Sequence, residues 1–265
     1  MCSTDPSPAT YRSGSGSPLV LLHPLFGSWR SWRPVLGALA AHHEVFAPTL
    51  AGHRTGVPLP PGPAPLSVFV DEVERELDTA GFGTVHVAGN SLGGRVAVEL
   101  GRRGRARSVV AFSPGCARRG RSDGMRLLAG LGLLRAGMAV DGWLPGWTPG
   151  PLRRWLWWPL LEHGERLTSV VRAEAVADAR GCRVLRQLVS ARSGTAPLPV
   201  GSYPLRVAWG GCDRLTPWDR VAASLRTVLP GAELVVLPRV GHTPMWDDPD
   251  LVVATIRDVT AGVDG

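Results

Sequence analysis

The chain has 265 residues and a formal net charge of +7; 44% of its residues are hydrophobic and 19% charged. That balance supplies a sizeable core and excludes chain-wide disorder, and the length suits one domain carrying an insertion. No apolar run spans a bilayer, the opening MCSTDPSPATYR has no apolar signal region, and the dispersed Cys2, Cys116, Cys182 and Cys212 form neither a disulfide scaffold nor a zinc ribbon. A cytoplasmic location is the expectation. All 29 basic residues are arginine. They are scattered, with the densest groups at Arg102, Arg103, Arg105, Arg107 and Arg118, Arg119, Arg121, and no nucleic-acid-binding motif accompanies them. A solvated arginine surface is therefore expected, and no nucleic-acid partner.

Residues 1–17, rich in Ser, Pro and Gly, read as a loose arm with at most a short strand. Pro18–Leu22 is a short continuous apolar run and reads as a buried strand. Trp29–Ala41 reads as a helix and Glu44–Ala47 as a second strand. In the next segment Leu66, Phe69, Val70, Val73, Leu77 and Ala80 recur at helical spacing, with Ser67 as the expected N-cap and Gly81 as the stop. Thr84–Ala88 is a third strand, Leu92 to about Arg103 a helix, and Ser108–Phe112 a fourth strand. From Gly115 to about Gly201 the alternation ceases. Helices are expected over Met125–Met138 and Arg166–Ala191, around a Trp- and Arg-rich patch. Strand Leu205–Trp209 then resumes the pattern, followed by a helix with Thr216 as its expected cap, strand Glu233–Leu237, and a last helix opened by Asp248-Pro249. Strands alternating with helices predict an α/β fold, a mostly parallel central sheet covered on both faces. The expected division is an arm (1–17), a core (18–114 and 202–265) and an inserted helical cap (115–201).

Four segments carry chemistry. Gly89-Asn90-Ser91-Leu92-Gly93 joins a buried strand to a helix, the setting in which a strained turn lifts a serine hydroxyl above the sheet edge. Serine needs a base, and His242, in the loop between the last strand and the last helix, is placed to be one. Asp213 ends a strand in Gly210-Gly211-Cys212-Asp213, where its carboxylate suits the Nδ1 proton of that imidazole. His23-Pro24-Leu25-Phe26-Gly27 follows the first buried strand. The backbone N–H groups of Leu25 and Leu92 are the candidate donors for an oxyanion, and His23 is expected to brace the loop. Among the remaining histidines, His42 and His43 are expected to be solvated, His86 to lie in a strand, His53 to make a structural bond and His163 to lie in the cap. None has metal-ligand spacing, and neither metal nor cofactor is expected.

With the order oxyanion loop, Ser, Asp, His, the chain resembles the α/β-hydrolase superfamily in its serine-nucleophile branch, over about Pro18–Phe112 and Leu205–Val259. The resemblance implies that fold, with Ser91 as nucleophile, Asp213 as acid, His242 as base, and Leu25 and Leu92 as oxyanion donors. Leu50-Ala51-Gly52-His53 also looks like a turn of the family. Where the family commonly has His-Gly, this chain has His23-Pro24, which leaves the Leu25 N–H in place but bears on its aim. Serine at the elbow argues against the epoxide hydrolase and haloalkane dehalogenase branches, whose nucleophile is aspartate.

The implied activity is cleavage of a carboxylic ester or related acyl bond of an apolar small molecule. Phe26 and Trp246 are candidate pocket residues. Carbon–carbon, lactone and thioester hydrolysis and cofactor-free perhydrolysis use the same groups, and a ligand receptor on a hydrolase fold is the non-enzymatic alternative. Leu152–Trp158 reads as an interfacial patch for weak contact with a membrane surface.

Overall fold

The apolar strands and amphipathic helices assemble around one sheet in the computed structural model, which describes residues 9–59, 61–115, 121–144, 147–185, 187 and 203–265. In chain order the elements are β1 (Thr10–Ser13), β2 (Ser17–Leu22), α1 (Arg33–Ala40), β3 (His43–Pro48), α2 (Leu66–Thr79), β4 (Val85–Asn90), α3 (Leu92–Arg102) and β5 (Ala106–Phe112). There follow α4 (Arg121–Asp141), α5 (Gly150–Trp157), α6 (Ser169–Gly181), β6 (Leu205–Gly210), α7 (Trp218–Val228), β7 (Glu233–Leu237), α8 (Pro244–Asp247) and α9 (Pro249–Asp264). The seven strands run in the order β1-β3-β2-β4-β5-β6-β7. Only the edge strand β1 is antiparallel to its neighbour; the other pairs are parallel, with Leu21 opposite Ala88 and Asn90 opposite Phe112. The expected α/β fold with a mostly parallel sheet is the fold observed.

Side chains of each strand alternate between two cores. On one face Val20 and Leu22 meet Phe69, Val73 and Leu77 of α2, Val96 and Leu100 of α3, and Val221 and Leu225 of α7. On the other, Leu19 and Leu21 meet Leu36 and Leu39 of α1 and Val252, Ile256 and Val259 of α9. Burying one such side chain contributes about 1.5–3 kcal/mol, so this two-sided packing sets the sheet rigidly between its helices.

Several local expectations are corrected. The segment from Trp29 opens as a 3-10 turn, Trp29–Trp32, and becomes α-helical only at Arg33, because Pro34 suits the first helical turn. Ser67 is inside α2, whose N-cap is Pro65 with no side-chain cap bond. Thr216 does not cap α7; Pro217 holds that position, and the Thr216 side chain turns to Asp213. His43 is buried, not solvated, between Ser17 Oγ at 3.0 Å and Thr260 Oγ1 at 3.1 Å. The Arg166–Ala191 helix is shorter. A 3-10 turn occupies Gly164–Arg166, and α6 starts after Thr168, whose Oγ1 accepts from the Val171 N–H at 3.3 Å. The expected loose arm over 1–8, Cys116, Arg118 and Arg119, and the end of the helix predicted to reach Ala191 lie outside the described residues.

Between β5 and β6 every described element is helical. These helices are stapled together by Asp141 of α4. Its carboxylate pairs with Arg172 of α6 at 2.9 Å and accepts from Trp157 Nε1 of α5 at 3.2 Å, all three residues being buried. Trp157 is thus an inner residue of the Trp-rich patch, whereas Trp143, Trp147 and Trp155 are 83%, 81% and 69% exposed. Among the described residues no helix is long and apolar enough to cross a membrane.

Candidate active site

Four loops converge above the C-terminal ends of the parallel strands, where α/β proteins gather their ligand-binding groups. Ser91 sits between β4 and α3 with φ 54° and ψ −108°, a conformation costly for a residue with a Cβ. The turn is held by Ser91 N–H to Phe112 O at 2.9 Å and Gly115 N–H to Ser91 O at 3.0 Å. Its tightness explains the flanking glycines. A Cβ on Gly93 would lie 2.1 Å from Leu22 O, and one on Gly89 would lie 2.3 Å from Gly93 O.

His242 follows β7 and is 2% exposed. Its Nδ1–H donates to Asp213 Oδ2 at 2.7 Å. Asp213, in the loop after β6, is fixed in turn by Thr216, whose N–H donates to Oδ1 at 2.8 Å and whose hydroxyl donates to Oδ2 at 2.9 Å. With Nδ1 spent on Asp213, the lone pair of the imidazole is on Nε2. That atom is buried and has no hydrogen-bond partner. Ser91 and His242 line one cavity of about 200 Å³ together with Leu25, Leu92, Leu131 and Leu215. No hydrogen bond joins the Ser91 hydroxyl to Nε2. Such contacts are often long until substrate binds.

The structure brings Leu25 and Leu92 to the wall of the same cavity. As the first residue of α3, Leu92 has an N–H without an intrahelical acceptor, at the end of the helix that favours negative charge. The Leu25 loop is tied by Gly27 N–H to Pro24 O at 3.0 Å and by His23, whose Nδ1 donates to Pro24 O at 2.8 Å while Nε2 accepts from Leu50 N–H at 2.9 Å. Burial, with His53 beside it, drives the His23 pKa well below the ordinary value, so the ring is neutral as this pairing requires. Phe26 and Trp246 line a second cavity of about 70 Å³ instead, and Leu25 is in the lining of both.

Two positions that sequence reasoning had not singled out organise these loops. Asn90, fully buried, donates from Nδ2 to Phe112 O at 3.0 Å and to His242 O at 2.9 Å, tying the serine strand to the histidine loop. Its being the sole asparagine in the chain, inside the Gly-x-Ser-x-Gly run, was the available signal. Asp247 accepts from the N–H groups of Gly241 at 2.7 Å, Glu162 at 3.0 Å and His163 at 2.8 Å, joining the histidine loop to the insert.

The sequence profile described as Alpha/beta hydrolase family matches residues 19–255. Among curated proteins, Epoxide hydrolase EphH of Mycobacterium tuberculosis is 31% identical over 72% of this chain and 92% of its own length. The dihydrolipoyllysine-residue acetyltransferase component of the acetoin cleaving system of Pseudomonas putida is 30% identical over 86% of this chain and 59% of its own. Among solved structures, the 2-hydroxy-6-oxo-6-phenylhexa-2,4-dienoate hydrolase of Rhodococcus sp. strain RHA1 superposes with TM-score 0.71 at 23% identity, covering 95% of this chain and 94% of that one. The enol-lactonase of Burkholderia xenovorans LB400 gives TM-score 0.70 at 22% identity and 95% coverage of each. At that identity the two superpositions speak for the fold alone. The profile match over most of the chain decides the assignment: this chain belongs to the alpha/beta hydrolase family and is a hydrolase of that fold.

Proposed function

We propose that the protein is a serine hydrolase that cleaves a carboxylic ester, or a related acyl bond, of an apolar small molecule. The observation that carries this reading is the state of His242. Its Nδ1 is committed to Asp213 at 2.7 Å, and its partnerless Nε2 belongs to a ring that shares a cavity with Ser91. In this reading Ser91 attacks the carbonyl carbon as Nε2 takes its proton, and the Leu25 and Leu92 N–H groups hold the oxyanion. His242 then protonates the departing alcohol, and water deprotonated by His242 releases the acid. Residues 115–201 serve as a cap over the reacting centre. The apolar lining from Leu127, Leu131, Leu185 and Leu215 suits an aliphatic or aromatic acyl group.

The name of the Mycobacterium tuberculosis relative supplies the competing activity, epoxide hydrolysis. Chemistry disfavours it here. Addition of a serine oxygen to an epoxide carbon leaves an ether, which offers water no carbonyl to attack, whereas a carboxylate nucleophile leaves a cleavable ester. Lactone, thioester and carbon–carbon cleavage remain variants of the proposed scheme. The test is turnover of p-nitrophenyl esters of graded chain length beside styrene oxide, with Ser91→Ala as control. Ester turnover that disappears in Ser91→Ala supports the reading; epoxide opening without ester turnover overturns it.

A further inference from the structure

We propose that Arg30 is the recognition group for a carboxylate at the far end of the substrate, so that the preferred substrate class is the half-ester of an apolar dicarboxylic acid. The inference rests on the hydrolase reading above and names the substrate class of that same site.

The argument starts from an unusual guanidinium. Arg30, in the 3-10 turn after the Leu25 loop, is 7% exposed, yet its Nη1 is buried without a hydrogen-bond partner. It lines the second cavity, whose other walls are largely apolar: Leu25, Phe26, Met138, Trp157, Leu160 and Leu161. Orphaned buried charges are rare because the lost hydration is not returned. The group stacks on Trp29, with its Cζ 4.6 Å from the ring centre, and its ion pair with Glu174 is a long one, 3.8 Å from Nε.

Two carboxylates line the same cavity, and each has closer partners. Glu174 is engaged by Arg33, whose Nη1 and Nη2 donate at 2.5 and 3.1 Å, and it comes no nearer to Arg30 than 3.8 Å from Nε. Asp178 accepts from Ser28 Oγ at 2.5 Å and from Arg54 Nη1 at 3.2 Å. Among the described residues around this cavity there are thus three guanidinium groups (Arg30, Arg33, Arg54) against two carboxylates. One positive charge is left over, and Arg30 is the guanidinium without a hydrogen-bonded carboxylate. A monoanion balances that excess. A phosphate dianion would overshoot it beside Glu174 and Asp178. A planar carboxylate also matches the donor geometry of arginine.

Position links the two ends of such a substrate. Leu25 lines both cavities, and its N–H is the proposed oxyanion donor. In the proposal, an acyl chain whose carbonyl sits at Ser91 passes Leu25 and Phe26 into the apolar cavity and places its terminal carboxylate at Arg30.

The experiment compares mono-p-nitrophenyl esters of dicarboxylic acids, from succinate to suberate, with p-nitrophenyl alkanoates of equal chain length. The wild type is set beside Arg30→Met and Arg30→Lys. At the best length the wild type is expected to favour the half-ester in kcat/KM, chiefly through KM. The half-ester to alkanoate ratio is expected to fall about ten- to hundredfold in Arg30→Met, the worth of a charge-assisted hydrogen bond, and to recover in part in Arg30→Lys. A wild type without half-ester preference at any length, or a ratio that Arg30→Met leaves unchanged, overturns the proposal while alkanoate turnover leaves the hydrolase reading standing. Should neither ester be turned over, the hydrolase reading fails, and the Arg30 site is judged by suberate alone. A rise in melting temperature with suberate that Arg30→Met loses supports it; no rise in the wild type overturns it.

Discussion

Asp247 offers a perturbation whose size follows from counting bonds. Its Oδ2 accepts two N–H groups, from Gly241 at 2.7 Å and Glu162 at 3.0 Å, and its Oδ1 accepts a third, from His163 at 2.8 Å. The residue is 6% exposed, so water does not readily replace it. Asp247→Ala strands three donors. At about 1–3 kcal/mol for each buried donor left unpaired, the loss is at least about 3 kcal/mol, a large fraction of an ordinary domain's stability. Asp247→Asn keeps a carbonyl oxygen for Gly241 and Glu162 but turns an NH2 toward the His163 N–H. One bond is lost, at about 1–3 kcal/mol. Because Gly241 precedes His242, ester turnover is expected to fall in the same order. Urea unfolding monitored by tryptophan fluorescence, with kcat for a p-nitrophenyl ester, measures both effects. Asp247→Ala costing under about 1 kcal/mol, or Asn and Ala variants of equal stability, would refute the bond-counting argument.

Other outcomes follow from the same geometry. Asp213→Asn places an NH2 against His242 Nδ1 and forces the proton to Nε2, where the base is needed. Turnover is expected to drop by about four orders of magnitude, as the same exchange does in serine proteases, with the fold intact by circular dichroism; a drop under tenfold removes Asp213 from the proposed triad. Burial raises the Glu76 carboxyl from 4.5 to about 7, with Glu72 adding to the effect and Arg75 opposing it. Between those values the folded chain holds a proton that the unfolded chain has lost, so this group lowers stability as pH rises through the window. Glu76→Gln is therefore expected to gain in urea midpoint over wild type at pH 8 relative to pH 4.5; a pH-independent difference contradicts the assignment. Residues 115–201 contain thirteen arginines and six acidic residues, and the rest of the chain sixteen of each, so the whole net charge lies with the exposed Trp143, Trp147 and Trp155. Flotation with anionic but not zwitterionic vesicles, lost when Trp155 and Trp158, the exposed tryptophans of Leu152–Trp158, become serine, is the expected result; no flotation with either dismisses the interfacial patch.

What could be read in advance was whatever depends on local chain physics. Short apolar runs marked β2, β4 and β6, because a strand buried on both faces is apolar on both, and helical spacing marked α2, because one-sided burial leaves that imprint on neighbouring residues. The strand-to-helix turn at Ser91 was legible through its glycines, and the loop positions of Asp213 and His242 through the strands before them. What stayed hidden depends on partners far along the chain. Asp247 and Asp248 are adjacent carboxylates, yet one accepts the Leu251 N–H as a helix cap while the other reaches Glu162, 85 residues away. Thr216 resembled a cap because a threonine before proline usually is one, and only the approach of Asp213 claims its hydroxyl. His43 gave no sign of burial, since α9 supplies the Thr260 that covers it. Arg30 looked like one more solvated arginine in Ser28-Trp29-Arg30-Ser31-Trp32-Arg33.

The central claim is that the Ser91 oxygen is the nucleophile. Incubation with a fluorophosphonate followed by peptide mass mapping tests it directly. The account predicts one phosphonylated peptide carrying Gly89–Gly93, modified at Ser91 and absent from Ser91→Ala. A labelled Ser91→Ala protein, or an unlabelled wild type that still hydrolyses esters, would contradict it.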